Sequence, residues 1–154
     1  MIVGVTGPIC AGKSELANFL RDEYGFSILA FGAEVREEAM RRLIKPTREN
    51  LQDLGDQLTV ERGEIYLAER LINKMHDGGD YVVEGFRYPG QVTAFRRFED
   101  FVLVGITARE EIRFRRYSEK RRRDGDVSTR EAFDKVEARD QGGTQKISEY
   151  YLMI

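Results

Sequence analysis

Short apolar runs alternate with longer amphipathic stretches along this chain, a pattern typical of strands that alternate with helices. Apolar residues dominate five runs, at residues 1–5, 27–31, 81–83, 101–106 and 150–154. The run at 101–106 is apolar throughout, as expected of a strand that is buried on both faces of a parallel sheet. The alternation therefore predicts an α/β fold, with a parallel sheet of about five strands and helices on both faces.

Proline and capping residues place the boundaries of the helices. A charged helix at 34–44 ends at Pro46, which cannot continue it. Thr47 is then placed to cap a long helical stretch, in one or two pieces, that reaches about Met75. A further helix is expected up to about Glu119, before a polar, basic loop.

Length and charge limit the number of domains and the classes of partner that the chain could have. The 154 residues suit a single domain over 1–154, and the net charge of −2 favours no class of partner. Residues 109–130 hold nine Lys or Arg against five Asp or Glu, a local excess that suits an anionic ligand. Cys10 is the only cysteine, so no internal disulfide forms and a cytoplasmic location is expected. No apolar run approaches the ~20 residues of a membrane span, so no membrane partner is expected.

A phosphate-binding motif lies directly between the first strand and the first helix. Residues 7–14 read Gly-Pro-Ile-Cys-Ala-Gly-Lys-Ser and fit G-x-x-x-x-G-K-[ST] without a mismatch. Glycines let the backbone N–H groups approach phosphates, and the helix that follows adds the positive end of its dipole. Lys13 can reach the β- and γ-phosphates, and the Ser14 hydroxyl can ligate Mg²⁺.

The motif predicts ATP and Mg²⁺ as cofactors and a three-layer α/β/α P-loop NTPase fold. Lys13 is also a predicted catalytic residue, and Ser14 is the predicted metal ligand. The predicted nucleotide-binding residues are Gly7, Cys10, Ala11, Gly12, Lys13, Ser14 and Glu15.

Four segments in order resemble the P-loop nucleoside monophosphate kinases. They are the phosphate loop, Phe-Gly-Ala-Glu-Val-Arg at 31–36, Val-Glu-Gly-Phe-Arg at 83–87, and the arginine-rich region 113–130. The chain looks closest to the branch of dephospho-CoA kinases, deoxynucleoside monophosphate kinases and their uncharacterised archaeal relatives. The resemblance covers nearly the whole chain.

This resemblance implies an acceptor-binding helical insert at about 33–76 and an arginine-rich lid at about 113–130. Arg36 of the insert is expected to bind the acceptor phosphate, with Arg41 and Arg42 as weaker candidates. Guanidinium groups suit this task because their fork meets phosphate oxygens in pairs.

Two further residues follow the third strand, where a parallel sheet forms its ligand crevice. Arg87 is expected to be catalytic and to bind the acceptor, and Glu84 to hold a Mg²⁺-bound water or orient the acceptor. An ion pair between Glu84 and a neighbouring arginine is the structural alternative.

The lid region is expected to bring guanidinium groups onto the phosphates and to expel water when it closes. Arg113 and Arg116 lie three residues apart on one helix face, and Arg121, Arg122 and Arg123 follow. Arg116 and Arg122 are the predicted catalytic arginines of this cluster.

Two positions depart from the pattern of dephospho-CoA kinases, which carry a catalytic aspartate just after the second strand. Glu34 is the nearest carboxylate here, offset from that place, and Glu84 stands where a more acidic strand ending is usual. The aromatic residues Phe31, Phe86 and Tyr88 lie near predicted strand ends, where they either stack on an acceptor base or belong to the core.

The sequence predicts an ATP-dependent kinase that acts on a small nucleotide-like acceptor, above all a (deoxy)nucleoside monophosphate. A dephospho-CoA kinase and an NTPase or switch that acts through a protein partner remain as alternatives. The missing net positive charge disfavours a nucleic-acid partner, and the oligomeric state stays open.

Overall fold

Five parallel strands form one sheet in the computed structural model, which describes residues 1–123, 129–144 and 152–153. The strands are β1 (Ile2–Thr6), β2 (Ser27–Ala30), β3 (Tyr81–Glu84), β4 (Phe101–Gly105) and the two-residue β5 (Leu152–Met153). Their order across the sheet is β2-β3-β1-β4-β5. The predicted parallel sheet of about five strands is therefore confirmed, with four longer strands and one short one.

Seven helices connect or follow these strands in the described part of the chain. They are α1 (Lys13–Tyr24), α2 (Phe31–Arg41), α3 (Arg48–Arg62), α4 (Tyr66–Ile72), α5 (Pro89–Phe95), α6 (Glu110–Arg123) and α7 (Arg130–Thr144). Thr47 caps α3 as predicted, since its side chain accepts a hydrogen bond of 3.2 Å from the backbone N–H of Asn50. None of the described helices is long and apolar enough to cross a membrane.

Two boundaries differ from the sequence prediction. Helix α2 begins at Phe31, three residues earlier than expected, because no turn separates it from β2. Helix α6 continues to Arg123, so the three consecutive arginines extend a helix where a loop was expected. Lys and Arg are good helix formers, and a basic run by itself does not end a helix.

Successive residues of a strand point to opposite faces of the sheet, and they pack into two separate cores, one on each face. Val82 packs with Val5, Ala17 and Phe26 beneath α1. Its neighbour Val83 points to the other face, into the larger core formed with α2, α3, α4 and α5. Helices therefore cover both faces of the sheet, which is the three-layer arrangement expected.

An aromatic cluster forms the centre of the larger core. Phe95 is fully buried and contacts the rings of Phe31, Phe86 and Phe101 at centroid distances of 6.3, 5.4 and 5.6 Å. Phe31 and Phe86 are themselves almost fully buried. Both residues therefore belong to the core.

Ion pairs fasten the helical insert together. Glu34 and Glu38 of α2 are both 2% exposed, and Arg70 of α4 contacts them at 2.9 and 3.5 Å. Lys74 adds a second cation to Glu34 at 2.5 Å. A buried carboxylate needs such partners because desolvation of an unpaired charge is costly.

The ion pairs engage three residues that the sequence analysis considered as candidates, Glu34, Arg41 and Arg42. Glu34 is held by Arg70 and Lys74 inside the insert, so it is not placed to serve as a catalytic base. Arg41 and Arg42 pair with Glu38 at 2.9 and 2.7 Å, which leaves Arg36 as the phosphate-binding candidate of α2.

Two arginines of the predicted lid connect α6 to α7. Arg113 is 6% exposed, contacts the carboxylate of Glu137 and lies 5.7 Å from the ring centroid of Phe133. Arg130 pairs with Glu110 and Asp134. Arg113 and Arg130 therefore stabilise the packing of α6 on α7.

We expect Phe95→Ala to lower the free energy of unfolding by about 3–5 kcal/mol, because it removes a ring from the centre of the aromatic cluster. Phe19→Ala is the matched control, since Phe19 is 52% exposed on α1. Urea unfolding followed by circular dichroism measures both. Equal losses for the two variants would contradict the position of the core.

Candidate functional site

Strand pairing brings three strand ends to one edge of the sheet. In the register of the sheet, Val5 lies beside Glu84 of β3 and Thr6 beside Gly105 of β4. The sheet reverses its direction of winding at β1, because β1 connects onward to β2 while β3 connects to β4 on the other side. Open parallel sheets bind ligands outside the carboxyl ends of the strands at such a point.

The loop that follows β1 adopts a conformation that requires glycine at two positions. Gly7 has a φ of 140°, and a Cβ built on it would lie 2.0 Å from the carbonyl oxygen of Ile106. Gly12 has a φ of 119° and directly precedes α1. Cys10 also has a positive φ of 58°, so the loop curves tightly in front of the N-terminus of α1.

Lys13 places its ammonium group over this loop. Its Nζ atom donates hydrogen bonds to the carbonyl oxygens of Gly7 and Pro8 at 2.7 and 2.8 Å. A positive charge and a helix N-terminus are therefore brought together at the glycine-rich loop. This combination can bind phosphate groups.

Ser14 and Glu84 are brought together although they lie far apart in the chain. The Ser14 hydroxyl donates to a carboxylate oxygen of Glu84 at 3.2 Å. Hydroxyl and carboxylate oxygens are the ligands that Mg²⁺ prefers, directly or through water. The chemistry of this pair therefore fits a magnesium site at the entrance of α1, and the metal-binding roles of Ser14 and Glu84 stay predictions.

Arg116 reaches the phosphate loop from α6. Its Nη1 atom donates to the carbonyl oxygens of Cys10 and Ala11, both at 3.1 Å. The structure therefore places Arg116 beside the phosphate loop, and its catalytic role stays a prediction. Glu15 is exposed on the first turn of α1, and the side chain of Arg122 lies outside the described residues.

A cavity of about 610 Å³ opens beside the loop, towards the helical insert. Lys13 and Cys10 of the loop border it, and Phe31, Val35 and Phe86 form an apolar part of its lining. The remaining walls come from α2, α3, α4, the segment after β3, and α6. Its other lining residues include Gly32, Arg36, Arg48, Leu51, Gln52, Gly55, Thr59, Leu67, Gly85, Arg87, Tyr88, Gln91 and Tyr117.

The two arginines predicted to bind the acceptor both line this cavity. Arg36 extends from the exposed side of α2, and Arg87 lies in the segment that follows β3. Gln91 is 2% exposed, and its side-chain oxygen accepts from the backbone N–H groups of Arg87 and Tyr88 at 2.8 and 3.2 Å. The buried amide therefore sets the course of the backbone at Arg87.

The sequence analysis missed the wall that α3 contributes. Arg48, Gln52, Gly55 and Thr59 lie on one face of this helix and all line the cavity. Their spacing of three or four residues was visible in the sequence, but polar residues at that spacing usually face solvent. Only the packing of α3 on α2 shows that this face borders a cavity.

A chain of polar contacts connects Tyr88, which directly precedes α5, with α3 and α7. The Tyr88 hydroxyl donates to Asp56 of α3 at 3.0 Å. Arg139 of α7 contacts the carboxylates of Asp56, at 3.4 Å, and Asp53. Helix α7, which packs on the helix of Arg116, is thereby connected to the wall formed by α3.

Comparison with families and relatives shows which proteins this chain resembles. A family model described as an AAA domain matches residues 6–134. A UPF0200 protein of Hyperthermus butylicus is 37% identical over 86% of this chain and 72% of its own length. A UPF0200 protein of Methanothrix thermoacetophila is 35% identical over 92% of this chain and 79% of its own length. The chain spans 66% of the UPF0200 protein of Aeropyrum pernix, at 33% identity over 79% of this chain.

Solved structures share the fold at low identity. A "putative kinase" from Chloroflexus aurantiacus superposes with a TM-score of 0.60 over 90% of this chain and 75% of its own, at 17% identity. An uncharacterized protein from Eubacterium ventriosum does so with a TM-score of 0.57 over 97% of this chain and 77% of its own, at 12% identity. At these identities the likeness shows the fold.

The Tyr88 phenol should ionise at higher pH than an ordinary tyrosine. Burial raises its pKa above the usual value of about 10, and the hydrogen bond to Asp56 raises it further. Because the folded-state pKa is raised, the stability that this phenol contributes is present below pH 10 or so and is lost as the pH rises through the raised value. Ultraviolet titration of wild type against Tyr88→Phe isolates the phenol, and a difference signal that titrates at the ordinary pKa of about 10 would contradict the buried contact.

Proposed function

We propose that this chain, which belongs to the AAA-domain family and to the UPF0200 proteins, is an ATP-dependent kinase whose acceptor is a nucleoside or deoxynucleoside monophosphate. One observation carries the proposal. The phosphate loop with Lys13 opens directly onto a cavity whose lining is partly apolar and includes Arg36 and Arg87. A volume of about 610 Å³ lies within the range of small-molecule sites.

The donor nucleotide would occupy the loop end of the cavity. Backbone amides of the loop and the N-terminus of α1 bind its phosphates, and the Lys13 ammonium moves from the loop carbonyls to the β- and γ-phosphates. Ser14 and Glu84 would hold Mg²⁺, the latter through water, and the ion would neutralise charge on the transferred group.

Arginines would stabilise charge from two sides. Arg36 and Arg87 would bind the acceptor phosphate through bidentate hydrogen bonds and hold it in line with the γ-phosphorus. Arg116 already lies against the loop, within reach of the donor phosphates, and Arg122 stays a prediction for the closed lid. Such preorganised charges can supply a large part of the rate enhancement.

The pairing of Glu34 favours a phosphate acceptor over a hydroxyl acceptor such as that of dephospho-CoA. In the transfer, an acceptor oxygen forms a bond to the γ-phosphorus while the bond to the ADP oxygen breaks. A hydroxyl oxygen must also lose a proton, whereas a phosphate monoester, with its second pKa near 6, is largely deprotonated at neutral pH. A monophosphate therefore needs no general base, and Glu34 is engaged with Arg70 and Lys74.

A coupled assay of ADP release with Mg-ATP tests the proposal across ribo- and deoxynucleoside monophosphates, dephospho-CoA and no acceptor. The proposal expects release to rise sharply with at least one monophosphate. Fastest release with dephospho-CoA would favour the hydroxyl-acceptor kinase. Slow release that ignores every acceptor would favour an NTPase that works through a partner.

We expect Lys13→Ala to lower turnover by roughly 10²–10³-fold while the fold stays intact, because it removes the cation nearest the transferred phosphate. Lys135→Ala is the matched control, since that side chain is 76% exposed on α7. Turnover and thermal melting are measured on both variants. Full activity of Lys13→Ala would refute the assignment of the phosphate loop.

Arg87→Ala should lower turnover and acceptor affinity much more than ATP affinity, because Arg87 borders the acceptor end of the cavity. Arg21→Ala is a suitable control, as Arg21 is half exposed and pairs with its neighbour Asp22. Initial rates at varied ATP and varied acceptor separate the two affinities. An equal loss of both would place Arg87 on the donor side.

A further inference from the structure

Helix α3 carries a glycine at its centre that neither the backbone nor the packing requires. Gly55 lies in the middle of the helix Arg48–Arg62, where glycine is less favourable than alanine. Its φ is not in the left-handed region, and a Cβ built on it would meet one atom within 4 Å, the Cγ2 of Val35 at 3.7 Å. That distance is an ordinary van der Waals contact, so an alanine would fit.

Gly32 has the same property on the adjoining wall. It lies in the first turn of α2, and a Cβ on it would meet nothing within 4 Å. Gly32 and Gly55 both line the cavity, and Val35, one turn after Gly32, is the residue that approaches Gly55. The two glycines therefore widen the same cavity from two helices.

The other glycines of the cavity have structural reasons. Gly7 and Gly85 have positive φ values of 140° and 91°, and a side chain on Gly7 would also collide with the backbone of Ile106. Gly32 and Gly55 share neither constraint. Because Gly32 and Gly55 have no side chain, the cavity beside them is wider than it would be with any other residue at these positions.

Chemistry beside Gly55 indicates what the space would hold. Gln52 lies one turn earlier on the same face of α3 and offers an amide with both donor and acceptor groups. Leu51 and Phe31 make the neighbouring surface apolar. A planar heteroaromatic ring combines apolar faces with donors and acceptors at its edge, so it matches both kinds of surface.

We propose that Gly32 and Gly55 form a slot for the ring of the acceptor, with Gln52 at the ring's edge, and that Gly55 determines which acceptors fit. This inference rests on the proposed function and deepens it, because it assigns specificity to α3. Arg36 and Arg87 hold the phosphate end of the same acceptor. The length of the ring then decides how closely the acceptor approaches Gly55.

The test compares Gly55→Ala and Gly55→Leu with Gln57→Ala, a change on the exposed side of the same helix. Adenosine monophosphate and cytidine monophosphate serve as two-ring and one-ring acceptors. Gly55→Ala should melt at the same or a higher temperature than wild type, because alanine favours the helix. It should nevertheless raise the KM for the acceptor by about tenfold, since a pocket that loses the space of one methyl group discriminates by that order.

Gly55→Leu should raise the acceptor KM further, and more for the two-ring than for the one-ring acceptor, while the KM for ATP changes by less than about twofold. Gln57→Ala should match wild type. An unchanged acceptor KM in a folded Gly55→Leu variant would overturn the inference. A loss that affects ATP and both acceptors equally, together with a lower melting temperature, would also overturn it.

Failure of the proposed function gives a different result. If wild-type turnover ignores every acceptor, equilibrium binding of adenosine monophosphate is measured by calorimetry in the presence of a non-hydrolysable ATP analogue. Saturable binding that weakens about tenfold or more in Gly55→Leu still supports the slot. Absent binding, or binding that Gly55→Leu leaves unchanged, overturns it.

Discussion

The parallel pairing of β1 with β3 and β4 is the constraint on which the site depends. Hydrogen bonding in register places the ends of these strands at one edge, so the loop after β1 meets the segments after β3 and β4. Gly7 then lies against the backbone of Ile106, and Ser14 lies within hydrogen-bonding distance of Glu84. A shift of register by one residue would turn every side chain to the opposite face and separate these groups.

Arginine serves three different purposes in this molecule, and its surroundings decide which. Arg70 and Arg113 are largely buried and satisfy buried carboxylates, so they stabilise the insert and the α6–α7 pair. Arg116 donates to the carbonyl groups of the phosphate loop. Arg36 and Arg87 line the cavity, where guanidinium groups can meet an anionic ligand. A local excess of basic residues therefore indicates an anion site without telling which arginine forms it.

The carboxylates also divide into a buried, structural residue and a residue at the candidate site. Glu34 is desolvated inside the insert and needs its two cations, whereas Glu84 lies at the sheet edge beside Ser14. Glu34, the carboxylate nearest to the position of the catalytic aspartate in dephospho-CoA kinases, thus has a structural role. This difference favours chemistry that proceeds by positioning and electrostatic stabilisation, as phosphoryl transfer to a monophosphate can.

The sequence alone determined the features that depend on neighbouring residues. Apolar periodicity predicted the parallel sheet and its helices, and the fixed spacing at 7–14 predicted the phosphate loop. The expected relation to P-loop kinases and their archaeal relatives is confirmed by the family model and the UPF0200 proteins. Tertiary structure decided which charges pair, as at Glu34, and that Gly55 borders a cavity. These contacts join residues that are distant in the chain, and the strength of an ion pair depends on how deeply it is buried. Hydrophobic periodicity predicts which face of a single helix is buried, but it does not predict how the helices pack against one another.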